Sequence, residues 1–360
     1  MKVTARIYFG ILFYLFLFTF GSPATAQTYT ITDLGVLPGY TSSLAYYVNS
    51  SGQATGCSDN SSSQSSLCVG DSASAAYYWA PDSSGMVNLG SLAGYDAIVG
   101  VTINDSEEIV GLAQNSQTDI SRGFVWTQLS GLVELPQLAG GSYSVANANN
   151  NNGVIVGYSS VSNGNVHSVL WLPNNGSYQI KDLGTLPGAP YTYAYDVNQS
   201  MQVVGEAYNS AGTRFTAVLW SKNAGWRNLG TLPGGQDSIS DWINNPGVAV
   251  GAAYTSQYPN GVAVYWDTSY SIHSLGTLPG GTQSYAGGEN DRGDIVGEST
   301  VSGGALHACV WKNGIVKDLN DLIPPNSGWA LNHASAINRT GQISGFGTIN
   351  GATHGFILTP

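Results

Sequence analysis

The chain has 360 residues, with 11 Lys and Arg against 22 Asp and Glu, for a net charge of −11. Only 9% of its residues are charged, against roughly 25% in average soluble domains, while Gly alone numbers 47. So few basic residues exclude nucleic acid and anionic membranes as partners, because both require basic patches.

The chain opens with Lys2 and Arg6, an apolar stretch from Ile7 to Phe20, and the small-x-small sequence Ala24-Thr25-Ala26. A positive start, a short apolar core and a small-residue site predict a secretory signal peptide over 1–26, cut before Gln27; a retained anchor is the alternative. Residues 27–360 keep 9 basic against 22 acidic residues, a net charge of −13, and contain no second long apolar run. A single exported domain is expected there, without membrane insertion once the leader is removed.

A seven-residue phrase, Asp33-Leu34-Gly35-Val36-Leu37-Pro38-Gly39, then recurs along the whole domain. Its leading leucines are Leu34, Leu89, Leu135, Leu183, Leu229, Leu275 and Leu319, which sets a unit of about 46 residues. Two more phrases keep step with it. One is a small residue, a short run, an Asn and then a Gly seven residues on; its Asn falls at 49, 104, 150, 198, 244, 290 and 338. The other is a β-rich run ending in Trp at 79, 126, 171, 220, 266 and 311, with Leu358 in the seventh place.

Short Val-, Ile-, Tyr- and Trp-rich runs between Gly, Asn, Ser and Pro predict strands joined by turns, and Asn-x-x-Gly predicts a tight hairpin. Four strands per unit is the pattern of a β-propeller blade. The fold expected is therefore all-β: a seven-bladed β-propeller of four-stranded blades. The chain ends at Pro360 soon after the last Trp-type run, and an orphan leucine phrase stands at the other end. The N-terminal segment 28–39 is thus expected to pair into the last blade (326–360) and close the ring, removing an open edge. A linear solenoid, the alternative, would want distinct caps.

The phrases from Asp182, Asn228 and Ser274, alternating with Ile337-Asn338 through Gly345 and with His307-Ala308-Cys309-Val310-Trp311, resemble the HAF-repeat family of bacterial extracellular proteins. The naming His-Ala-Phe triplet is approached at His167, His307 and His354 and lacks its His at Gly123-Phe124 and Ala217-Val218. The resemblance covers the mature chain and implies an exported repeat protein; it carries over no catalytic residue.

Cys57 and Cys68 bracket a polar insertion in the one overlong unit and predict a disulfide, with Cys309 left as a buried thiol. The sequence predicts no cofactor and no metal site: no hydrolase elbow, metalloprotease helix or phosphate loop is present. Histidines 167, 307 and 354 share one slot of the unit and are expected to be structural. Rim carboxylates Glu206, Asp237, Asp241 and Glu298 are the candidates for glycoside chemistry, with Asp237 and Asp241 read as lying in one connection. Solvated loop acids are the blander reading.

Variation concentrates in the connections of one face, which is where specificity is expected to be written. Tyr40, Tyr95, Tyr143 and Tyr191 follow the leucine phrases there, and Tyr158, Tyr208, Tyr254 and Tyr258 lie in the other connection. They are the candidate ligand-binding residues, tyrosine suiting sugars and peptides, unless their rings simply pack between blades. The small residues Ala45, Gly100, Ala146, Ala194, Ser240, Ala286 and Ala334 are expected to crowd the axis. The function expected is a non-catalytic binding or scaffold module for extracellular polysaccharide or a surface protein, with a carbohydrate-active enzyme as the alternative.

Overall fold

The structure, a computed structural model, describes residues 28–60, 68, 74–83 and 85–360. The signal-peptide assignment and the body of the polar insertion lie outside the described residues. The rest is all-β, with one short 3-10 helix, Leu319–Leu322.

Each repeat folds as a four-stranded antiparallel meander. The second is typical: Ala97–Ile103, Ile109–Asn115, Ile120–Thr127 and Gly131–Glu134 pair in chain order. Three meanders are separate sheets, and two pairs merge into eight-stranded sheets through single parallel pairings, Ser74 with Ala97 and Val166 with Tyr191. The meander Trp329–Ile337, Ile343–Ile349, Ala352–Thr359 receives its fourth strand from the opposite end of the chain, where Thr30–Asp33 pairs with Phe356–Thr359. The N-terminal strand therefore lies where its orphan phrase suggested.

The apolar core lies in slabs between consecutive meanders. Tyr78 and Leu89 of one meet Ile98, Ile109, Phe124 and Trp126 of the next. The recurrent tryptophans are all buried in these slabs, and the leucine phrase crosses from one meander to its neighbour with Leu34 and Leu37 buried. Histidines 167, 307 and 354 bond through Nδ1 to Asp182, Asp318 and Asp33 of that phrase, the structural role expected of them. Cys57 and Cys68 are disulfide-bonded, and Cys309 is buried and free.

The repeated asparagine does more than terminate a hairpin. In each copy Oδ1 accepts two backbone N–H bonds of its own turn; Asn198 Oδ1 accepts from Ser200 and Gln202. Its Nδ2 donates to the backbone carbonyl of the next asparagine: Asn49 to Asn104, Asn104 to Asn150, Asn150 to Asn198, Asn198 to Asn244, Asn244 to Asn290 and Asn290 to Asn338. Asn338 then donates to the Asn49 carbonyl at 2.8 Å, returning the relay to its start. Only an amide both accepts within its turn and donates out of it at this length; aspartate lacks the donor and serine the reach.

The first strand of every meander carries a β-bulge one residue past its small residue: between Ala45 and Tyr47, Gly100 and Thr102, Ala146 and Ala148, Ala194 and Asp196, Ser240 and Trp242, Ala286 and Gly288, and Ala334 and Ala336. The glycine of the second phrase faces the bulge because nothing larger fits. A Cβ on Gly205 would lie 1.8 Å from the Tyr193 carbonyl oxygen, and one on Gly56 would lie 1.9 Å from that of Leu44.

Two substitutions test this frame. Asn198→Asp keeps the turn acceptor but sets a carboxylate against the Asn244 carbonyl, and is expected to cost about 1–3 kcal/mol in urea unfolding. Gly205→Ala forces the bulge open and is expected to cost about 2–3 kcal/mol in the same measurement.

Candidate binding site at the axis

A bulge re-aims one side chain of a strand. Here the seven extra residues are Tyr46, Val101, Asn147, Tyr195, Asp241, Gly287 and Ser335, and all seven line one cavity of about 210 Å3. Trp242, Tyr285, His333 and Phe346 complete its wall. The small residues expected at the axis are not in that lining. They pack instead between neighbouring meanders, where a Cβ on Gly100 would lie 2.3 Å from Thr55 Oγ1.

A second axial cavity, of about 220 Å3, lies on the asparagine side. Trp242 lines both cavities and stacks on Tyr47, with ring centroids 5.5 Å apart, so this pair divides the axis. Four acids line the asparagine side: Asp105, Asp196, Glu289 and Asp291. Asp196, whose Oδ2 accepts from the Ile243 N–H, is pushed by burial up to about 6, and burial holds Glu289 well above the usual carboxylate range.

The cavity lined by the bulge residues is mainly aromatic. Burial pushes Asp241 up to about 7, partly opposed by the hydroxyl of Tyr285, which donates to its carboxylate. The Tyr195 hydroxyl donates to Glu206, which burial also raises. His333 is stacked on Phe346 and held through Nδ1 to Glu298 at 2.9 Å. Ser335 is 5% exposed, and its Oγ has no hydrogen-bond partner.

The sequence-predicted acids are not loop acids of one connection: Asp237 and Asp241 both lie on the strand Asp237–Ile243. Asp237 is paired with Arg214 at 2.8 Å, and Glu206 and Glu298 are engaged as above, so Asp241 alone of the four lines the axial cavity.

The predicted tyrosines do not share one site. Tyr143, Tyr158, Tyr208 and Tyr254 join Tyr193 and Phe215 in one continuous arc over three meanders, successive ring centroids lying 6.4, 4.9, 5.8, 5.4 and 5.4 Å apart. Tyr191 is half-buried at the start of the strand that carries Tyr193. Tyr40 and Tyr95 pack against inter-meander cores away from the arc, and Tyr258 packs against the core that holds Leu229 and Ile243. Sequence reasoning did not single out Tyr193, Phe215, Tyr195, Tyr285, His333 or Ser335. For Tyr193 a signal existed: it stands two residues from Tyr191, on the same strand face.

No family model matches the chain, and no curated protein matches it in sequence. Among solved structures it is similar to virginiamycin B lyase from Staphylococcus aureus, at 11% identity over 92% of this chain and 99% of that one, with a TM-score of 0.48. It is also similar to AofleA from Arthrobotrys oligospora, at 11% identity over 80% of this chain and 87% of that one, TM-score 0.42. Trypanosoma rangeli sialidase matches at 11% identity over 89% of this chain and 55% of that one, TM-score 0.43. No residue or activity is carried over from them.

The axial acids give stability an unusual pH dependence. A carboxyl with a raised folded pKa keeps its proton in the native state after the unfolded chain has lost it, so its contribution is present below about pH 4 and is lost as pH rises through the folded value. With Asp196 near 6 and Asp241 near 7, the urea midpoint is expected to fall between pH 5 and pH 8. Asp241→Asn should make that fall smaller; an unchanged or steeper fall would contradict the assignment.

Proposed function

We propose that the chain is a seven-bladed β-propeller closed by its N-terminal strand, an exported protein of the HAF-repeat type, and a non-catalytic binding module whose ligand is an extracellular polysaccharide held at the axial cavity. The relay that returns from Asn338 to Asn49 and the pairing of Thr30–Asp33 with the last strand support closure. The Cys57–Cys68 disulfide supports an oxidising compartment. Among the described residues no helix is long and apolar enough to cross a membrane.

One observation carries the binding reading. At the relay position all seven repeats hold Asn, whereas at the equivalent bulge position they hold Tyr, Val, Asn, Tyr, Asp, Gly and Ser, all turned into one cavity. A position freed from the repeat and pointed at shared space is where a site is written onto a fold. Aromatic walls with a few converging polar groups are what a small-molecule or sugar site requires. Glycoside cleavage by paired carboxylates lacks its second member there, because Glu206, Asp237 and Glu298 are outside the lining.

Residues 27–360, screened on a polysaccharide and glycan array with product analysis of each hit, are expected to retain glycan without releasing new reducing ends. Tyr195→Ala should weaken retention at least tenfold and Tyr40→Ala should not. New reducing ends that disappear in Asp241→Asn would replace the module by an enzyme, and silence across the array would remove polysaccharide as the ligand.

A further inference from the structure

We propose that the axial cavity selects a protonated primary amine, so that its ligand is a sugar unit with a free amino group; this rests on the polysaccharide-binding reading above. The cavity lining contains no Lys or Arg. His333, the one side chain there able to carry positive charge, is committed through Nδ1 to Glu298. Asp241 meets a neutral hydroxyl, that of Tyr285. Glu206 acts on it as a like charge, and Asp241 in turn raises tyrosines 195 and 254; none of these groups is cationic. A carboxyl placed among aromatic rings without a counter-charge is costly to ionise. A ligand ammonium supplies the missing charge.

Ser335 also suits a donor. An ammonium has three N–H donors and no acceptor. Ser335 Oγ is unpartnered within a residue only 5% exposed. Gly287, next to Ser335 in the lining, adds no side chain to the space. The Asp241 carboxylate and the Ser335 hydroxyl are thus acceptors without a cationic partner, and Trp242, Tyr195 and Tyr285 add aromatic rings to the lining, a residue type that attracts cations.

Shape favours a sugar over a lysine side chain. At about 210 Å3 the cavity is smaller than the roughly 300–1,000 Å3 of drug-sized pockets, which leaves room for one ring. A thin methylene stem would leave the aromatic walls without contacts, whereas the apolar face of a pyranose covers them.

The test is calorimetry and tryptophan fluorescence on residues 27–360 with a glucosamine tetrasaccharide, its N-acetylated homologue, a glucose tetrasaccharide of the same linkage and a lysine amide, between pH 5.5 and 7.5. The aminated sugar should bind at least tenfold tighter than the other three. Its affinity should rise with pH toward 7, by at most about tenfold per unit, as the competing proton leaves Asp241. Asp241→Asn should abolish both the preference and the pH dependence, and Ser335→Ala should weaken binding several-fold; the wild-type pH profile decides if a variant does not fold. Equal binding of the three sugars, with preference indifferent to Asp241→Asn, would overturn the amine inference and leave the module standing. Lysine amide binding as tightly as the aminated sugar would overturn the sugar assignment. No sugar binding at any pH would bring down both readings.

Discussion

Every meander in this molecule is tied to the next by one buried amide. Each relay asparagine is no more than 6% exposed, so neither end of its side chain has water as an alternative partner. Losing either end strands a buried polar group, which costs more than the bond itself contributes. The relay sets a fixed spacing between neighbouring turns on one face and so fixes where every first strand enters the structure. The inter-meander slabs, with the recurrent tryptophans and leucines, fill the distance that the relay sets.

From that fixed start the bulge and its facing glycine produce the axial site. The bulge shifts the strand register by one residue; the glycine lets the displaced carbonyl come within reach; the residue between them turns to the axis. The repeat thereby separates two jobs at adjacent positions. The small residue is held constant in size because it packs between meanders, while the next one is free to vary. Tyr46, Asn147, Tyr195, Asp241 and Ser335 are different chemistries delivered to one place by the same backbone. The Tyr47 and Trp242 stack closes the cavity below, leaving Asp196 and Glu289 to the asparagine side.

Much of the fold was legible because it repeats. The asparagines, glycines, tryptophans and leucine phrases announce themselves seven times or nearly so, and the orphan phrase near Asp33 located the strand that pairs with Phe356–Thr359. Cys57 and Cys68 were readable from the insertion they bracket. The site was much less legible, for two physical reasons. A bulge breaks the period-2 alternation on which strand reading depends, so the small residues read as axial although their neighbours occupy that place. The axial residues are also about 46 positions apart, and nothing local links Asp241 to Tyr285 or Glu298 to His333. Of the four arc tyrosines, read from sequence as lying in rim connections, Tyr158, Tyr208 and Tyr254 lie on strands, and their company with Phe215 needs the meanders side by side.

The proposed ligand site is an axial cavity built by bulges within the asparagine relay. A crystal structure of residues 27–360 grown with a glucosamine oligosaccharide tests it most directly. The account predicts one sugar ring between Trp242 and Phe346 with its nitrogen on the Asp241 carboxylate, and Asn338 Nδ2 bonded to the Asn49 carbonyl. A sugar bound only on the outer rim, or an open gap between Asn338 and Asn49, would contradict it.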